Sequence, residues 1–200
     1  FFERFLSESK ADRRYAFVTF HQSFSYEDFI EGIRPSYIKE NNSIDYSPKD
    51  GVFKEICKIA SKHPEKEYAV FIDEINRGNI SEIFGELISL IEIDKRKDME
   101  NELSATLPYS KEIFVVPRNL NIFGTMNSAD RSVGTIDIAL RRRFKFVPMT
   151  PYAKAISNEL TLNHINPHNV DGIDVIKLFE TINSRIELLL DRNHLLGHAM

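Results

Sequence analysis

The sequence has a single cysteine, Cys57, and no tryptophan among its 200 residues. One thiol cannot close an internal disulfide, so a disulfide-stapled secreted scaffold is excluded. Excess positive charge is also missing. Against 26 Lys and Arg stand 30 Asp and Glu, a net charge of −4, which argues against a basic nucleic-acid-coating domain and leaves room only for a local patch. No apolar run approaches the roughly 18 residues needed to cross a bilayer. The opening stretch Phe1-Phe2-Glu3-Arg4-Phe5-Leu6 mixes charge into every turn, unlike a signal peptide. No membrane association and a cytoplasmic location are therefore expected. Repeats and low-complexity tracts are absent, and 42% hydrophobic with 28% charged residues suits a folded globular chain. None of the eight glycines precedes a lysine, so the phosphate-gripping G-x-x-x-x-G-K-[ST] loop does not occur.

What is present alternates between two kinds of pattern. Tyr15–Phe20, Tyr68–Ile72 and Leu120–Met126 are short apolar runs, and Phe144–Met149 is a weaker fourth. Runs of this kind predict strands buried on both faces of a parallel sheet. Helical spacing lies between them, at Phe53, Ile56, Cys57 and Ala60, and at Ile80, Ile83, Phe84, Leu87, Ile88 and Ile91. A short helical stretch runs from Ile136 to Leu140, and Phe1–Leu6 reads as the last turns of another helix. The expected fold is a doubly wound α/β domain with its ligand at the carboxyl ends of the strands. Ala105–Val116 reads as a hairpin inserted before the third strand. Beyond Pro148 and Pro151 the pattern is helical over Ala153–Leu162 and Ile173–Leu190, which sets a boundary near 150: a core over 1–150, then the start of a small helical domain over 151–200.

Three constellations carry chemistry. The run Val70-Phe71-Ile72 ends abruptly in Asp73-Glu74. Two adjacent buried carboxylates need a cationic partner. In nucleotide hydrolases the first such acid holds Mg²⁺ and the second orients or deprotonates water; the alternative is an acidic helix start favoured by the dipole. Next comes Thr125-Met126-Asn127-Ser128-Ala129-Asp130-Arg131-Ser132, where Asn127 can hold a water or a phosphate oxygen and Asp130 the same water, or where the residues simply form a turn. The third is Arg141-Arg142-Arg143, read as a dipole-favoured helix end, a basic patch, or an arginine finger for a neighbouring subunit. Cys57 lies on the apolar face of its helix and reads as core. The pairs His164/His168 and His194/His198 lack the pattern of a zinc site.

These elements, in this order, resemble the AAA+ motors of the McrB type, GTP-dependent subunits of methylcytosine-specific restriction systems. The resemblance rests on Phe20-His21-Gln22-Ser23-Phe24-Ser25-Tyr26-Glu27-Asp28-Phe29-Ile30-Glu31-Gly32 with Arg34-Pro35, on Phe71–Arg77, on Met126–Ser132 and on Asp137–Phe144. Leu195-Leu196-Gly197-His198 is similar to the motif of the family's helical lid, with Ala199 in place of the usual serine.

The resemblance implies an AAA+ P-loop NTPase core with a parallel sheet flanked by helices, followed by the start of a helical lid. It implies Asp73 as the Mg²⁺ residue of the Walker B motif and Glu74 as catalytic base. Asn127 and Asp130 are implied to position the attacking water, and Arg141 and Arg142 to act in trans. Arg77 and Arg131 are implied, less directly, to face a subunit boundary. GTP or ATP is the implied substrate. The implied partners are copies of the same chain, in a hexameric ring, a nuclease subunit, and DNA through other parts of a full-length protein. Since Phe1 falls where the helix after the Walker A loop would stand, that loop is expected upstream; a protein naturally without one is the rival reading. Two other functions compete: a MoxR- or dynein-like ATPase remodelling protein complexes, and a non-hydrolysing assembly module.

Overall fold

The computed structural model describes residues 14–38, 42–126 and 138–197. The chain divides into two compact units, Phe1–Lys145 and Phe146–Met200. The predicted helix over Phe1–Leu6 lies outside the described residues.

In the first unit the three strongest apolar runs form the predicted parallel sheet. Strand β1 (Tyr15–Thr19), β4 (Tyr68–Asp73) and β7 (Leu120–Gly124) lie in the order β1-β4-β7, with β4 central. β4 is buried from Tyr68 through Ile72 and emerges only at Asp73, as a strand covered on both faces must. Between β1 and β4 come helix α1 (Tyr26–Phe29), an antiparallel hairpin of β2 (Glu31–Ile38) and β3 (Ser43–Asp50), and helix α2 (Val52–Lys62). Helix α3 (Ile80–Phe84) follows β4. A small hairpin, β5 (Ala105–Thr106) with β6 (Ile113–Phe114), precedes β7 where the sequence predicts one.

Phenylalanines build the core on the α2 side of the sheet. Phe29 stacks on Phe53 with ring centroids 5.0 Å apart and meets Phe84 edge-on at the same distance. Phe20 stacks on Phe24 at 4.9 Å and meets Phe29 edge-on at 5.4 Å. The Phe20–Gly32 stretch is therefore largely a packing motif. Its polar members serve the turn: the Asp28 carboxylate accepts from the Ser25 N–H at 3.3 Å and the Ser25 hydroxyl at 3.2 Å, and pairs with Arg34 at 2.8 Å. Gly51, at the start of α2, passes so close to α1 that a Cβ would sit 2.5 Å from the Phe29 carbonyl carbon. Cys57 is buried in this core, as its helical position predicts.

Two expectations are corrected. The helical spacing from Ile80 to Ile91 does predict the buried positions Ile80, Ile83, Phe84, Leu87 and Ile91, but the α-helix stops at Phe84. Gly85 takes a positive φ of 50° and the chain continues as a 3₁₀ turn over Gly85–Ile88, a break that glycine makes cheap. Phe144–Met149 is not a strand. Phe146, Val147 and Met149 are exposed, and Pro148 removes a ladder donor.

The β2–β3 hairpin was not predicted. Its register places Ile33, Pro35 and Tyr37 opposite Pro48, Tyr46 and Ile44, which makes one face a continuous apolar row that is largely exposed. At the base of the hairpin, Glu31 pairs in register with Asp50, and both carboxylates meet Lys54 of α2. The Lys54 ammonium is 2.6 Å from Glu31, 3.0 Å from Asp50 and 2.9 Å from Glu112, which follows the turn of the β5–β6 hairpin. Glu31 also accepts the Tyr109 and Ser110 N–H groups, each at 2.9 Å. Lys54 is 1% and Glu31 0% exposed, so this pair joins both hairpins to α2 from inside the protein. Elsewhere, the buried Arg96 guanidinium donates to the Ile91 and Leu120 carbonyls. The Asn119 amide closes the end of α2 by donating to the carbonyls of Ala60, His63 and Lys66.

The second unit contains helices α5 (Ala153–Leu162) and α6 (Val175–Leu189), which pack on each other. Asp174 caps α6 by accepting the Lys177 N–H at 3.0 Å. On α6, Ile176, Phe179, Ile182 and Ile186 are partly covered, while Leu189 is exposed. The Asn183 side chain exchanges two hydrogen bonds with the Leu196 backbone, at 3.1 and 2.7 Å, and so fixes the Leu195-Leu196-Gly197 segment. Among the described residues no helix is long and apolar enough to cross a membrane.

The Lys54 network sets a pH dependence. Burial pushes the Glu31 carboxyl up, but hydrogen bonds from Lys54, Ser110 and Tyr109 outweigh it and hold the carboxyl at about 2, against its usual 4.5. A depressed carboxyl stabilises the fold above its unfolded value and stops doing so as pH falls through the folded one. Urea midpoints of the chain should therefore decline between pH 4.5 and 2. Lys54→Met leaves Glu31 buried without its cation, and should lower stability at pH 7 by about 3–5 kcal/mol and flatten the acid decline. Equal urea midpoints for the two proteins at pH 7 would contradict this assignment.

Candidate functional site

The three parallel strands end together, and the acid pair stands at their centre. The Phe20 N–H donates to the Asp73 carbonyl at 2.9 Å on the β1 side. On the β7 side the Thr125 N–H donates to the Ile72 carbonyl, and the Ile75 N–H to the Thr125 carbonyl, both at 2.9 Å. The chain leaves β4 through Glu74, whose backbone is left-handed at φ 53°, and enters a 3₁₀ turn over Ile75–Arg77. A side chain bearing Cβ in that conformation costs about 1–2 kcal/mol. Strain of this kind tends to collect at functional sites.

The side chains of the pair have different surroundings. The Asp73 carboxylate accepts a short hydrogen bond from the Thr125 hydroxyl, its one hydrogen-bond partner among the described residues. The Glu74 carboxylate faces Arg77 Nε at 3.3 Å. The Asn76 side-chain oxygen, next in the turn, is buried and has no hydrogen-bond partner among the described residues. Glu74 and Asn76 together offer polar atoms that a water or ligand at the strand tips can use.

Among the described residues no cluster of three or more His, Cys, Asp or Glu can hold a metal ion. A single carboxylate at a strand tip fits the way Mg²⁺ binds beside nucleotide phosphates, through one or two carboxylates, phosphate oxygens and retained waters.

The three consecutive arginines separate into two kinds. They lie at the end of helix α4 (Ile138–Arg141) and just after it. Arg143 is anchored: its side chain is 3% exposed, with Nε 3.0 Å from Glu92 and a terminal nitrogen 3.4 Å from the Ser89 hydroxyl. Arg141 and Arg142 are exposed and have no partner among the described residues. Asn127, Asp130 and Arg131 lie outside the described residues, so the chain beyond β7 is followed only as far as Met126, which packs on the core.

The AAA domain of the dynein-related subfamily matches residues 2–144. The chain belongs to this AAA family. The match stops one residue short of Lys145, where the first unit ends, and includes the tips of β1, β4 and β7 and all three arginines. Over 149 residues, 73% of the chain, it is 48% identical to the type IV methyl-directed restriction enzyme EcoKMcrB subunit of Escherichia coli K12. Over 233 aligned positions, covering 98% of the chain, it is 26% identical to the type II restriction enzyme BsuMI component YdiS of Bacillus subtilis 168. The chain spans 30% of the length of the first relative and 67% of the second. Within the AAA family it is of the McrB type, with the AAA arrangement of a parallel sheet flanked by helices.

The sequence pattern includes Thr125 in its second constellation but gives it no part in the candidate site. The signal was available: β4 and β7 pair with Ile72 opposite Gly124, so the next step along both strands brings Asp73 beside a hydroxyl.

The left-handed backbone at Glu74 gives a stability test. Glycine there removes the Cβ penalty, offset in part by its greater freedom in the unfolded chain. Glu74→Gly should unfold at an equal or higher urea concentration, with a gain of up to about 1 kcal/mol. A clearly lower midpoint would show that the Glu74 side chain holds the turn in place.

Proposed function

We propose that the chain is the catalytic core of a nucleoside triphosphatase that serves a restriction system. The observation that carries this reading is the acid pair at the tip of the central buried strand, in a chain of the McrB type. Asp73 is the residue that would hold Mg²⁺, and the metal would supply charge neutralisation for the β- and γ-phosphates. Glu74 accepts a proton from the attacking water or orients it. Asn127 and Asp130 are proposed to position that water from the end of β7. Residues 1–200 contain no Gly-Lys pair, so turnover is proposed for the product of the complete reading frame.

The exposed pair Arg141 and Arg142 is proposed to serve a neighbouring copy of the chain in a ring, in which the residues after 150 form the start of a helical lid. The anchoring of Arg143 favours this division of labour, since an arginine committed to Glu92 cannot reach a neighbour. GTP is the proposed substrate, with movement of DNA for a nuclease subunit as the output. Both follow from the resemblance to McrB-type motors, and the similarity to a methyl-directed restriction subunit supports the restriction setting.

The test combines two variants of the complete product. Glu74→Gln keeps the shape of the side chain and loses the proton acceptor. It should bind GTP within a few-fold of the unmodified protein and lower turnover about 10²-fold or more. Arg141→Ala should lower turnover by about 10³-fold with nucleotide binding retained. Mixed, the two variants should recover part of the activity, because a composite interface pairs an intact base with an intact arginine. Normal turnover in Glu74→Gln would overturn the site, and co-assembly without recovery would overturn the trans role of Arg141.

A further inference from the structure

Between the two acids stands one hydroxyl. Thr125 is the first residue after β7, and it meets the tip of β4 through four hydrogen bonds. Two are backbone bonds, from its N–H to Ile72 and from Ile75 to its carbonyl. The other two share the side-chain oxygen: the hydroxyl donates to Asp73 Oδ1 and accepts the Glu74 N–H at 3.3 Å. An ionised carboxylate only accepts and an amide N–H only donates. The single hydroxyl proton therefore has one arrangement that satisfies both neighbours, and this arrangement fixes which way the Asp73 carboxylate turns. It also gives the Glu74 N–H a partner in the strained left-handed turn.

We propose that Thr125 is a positioning residue for the acid pair. It fixes the orientation of the Asp73 carboxylate, which would hold the metal, and holds the Glu74 backbone in the turn, and so ties both acids to the end of β7. The inference rests on the proposed nucleotide reading of the site. It adds a residue that acts through Asp73 and Glu74 and touches neither metal nor substrate.

The experiment uses the product of the complete reading frame. Thr125→Val keeps the branched shape and removes the hydroxyl, whereas Thr125→Ser keeps the hydroxyl. The first readout is GTP turnover. The second is the Mg²⁺ concentration that half-saturates binding of a fluorescent GTP analogue, which does not depend on hydrolysis. Thr125→Val should lower turnover roughly 10- to 100-fold, the effect of losing a hydrogen bond to a charged group, and should raise the Mg²⁺ requirement several-fold. Thr125→Ser should restore both to within about three-fold of the unmodified protein. Circular dichroism checks folding, and if Thr125→Val is not folded, Thr125→Ala is compared with Thr125→Ser instead. Turnover and Mg²⁺ requirement within two-fold of normal in the hydroxyl-less variant would overturn the proposal, as would a serine variant as impaired as valine. Normal turnover in Glu74→Gln overturns the assignment of catalysis to this acid pair, whereas an inactive Glu74→Gln beside a normal Thr125→Val overturns only the role of Thr125.

Discussion

Complete burial of the central strand is the constraint on which the rest of the first unit depends. From Tyr68 to Ile72 every side chain of β4 is covered, so its backbone must be satisfied by β1 on one side and β7 on the other. That requirement brings three strand ends to one line, with Thr19 beside Asp73 on one flank and Thr125 beyond Gly124 on the other. The first polar side chains the strand can tolerate are those at its exit. Asp73 and Glu74 occupy that exit, and the β7 backbone, through Ile72, Ile75 and the Thr125 carbonyl and amide, sets where they stand.

A second interaction organises what surrounds the sheet. Lys54 gathers Glu31, Asp50 and Glu112 on one ammonium, so both hairpins are joined to α2. Its own burial would push the lysine toward neutrality, but the carboxylates around it, Glu112, Glu31 and Asp50, more than offset this and raise its pKa. A buried charge is tolerable when its partners are this close and hydrogen-bonded. The network fixes the base of the β2–β3 hairpin and leaves its apolar row in the open, while the phenylalanine cluster closes the core beneath α1.

The strands of the sheet were legible because β1, β4 and β7 each carry a continuous apolar run, but burial on both faces holds for β4 alone: Phe17 of β1 and Phe123 of β7 are exposed, which corrects that expectation for the two outer strands. The β5–β6 hairpin was legible from Pro108 and Tyr109 inside a short extended stretch. The β2–β3 hairpin was hidden, because Pro35 and Pro48 argue against strands and its apolar row faces outward instead of into a core. The end of α3 was misread since the core positions keep helical spacing through Leu87 and Ile91 even though the backbone changes at Gly85. At the site, Asp73 and Glu74 follow from an abrupt change from apolar to acidic. The contrast between Arg143 and its two neighbours is invisible in a run of three identical residues and depends on where Glu92 and Ser89 fall in space.

The proposed function requires phosphate and metal to meet at the exit of β4. Its most direct test is a structure of the complete reading-frame product with Mg²⁺ and a non-hydrolysable GTP analogue. The expected result has the metal on the Asp73 carboxylate, directly or through one water, and a water held between Glu74 and the terminal phosphate. A nucleotide seated away from the tips of β1, β4 and β7, or a metal held by other carboxylates with Asp73 still bound only to Thr125, would contradict it.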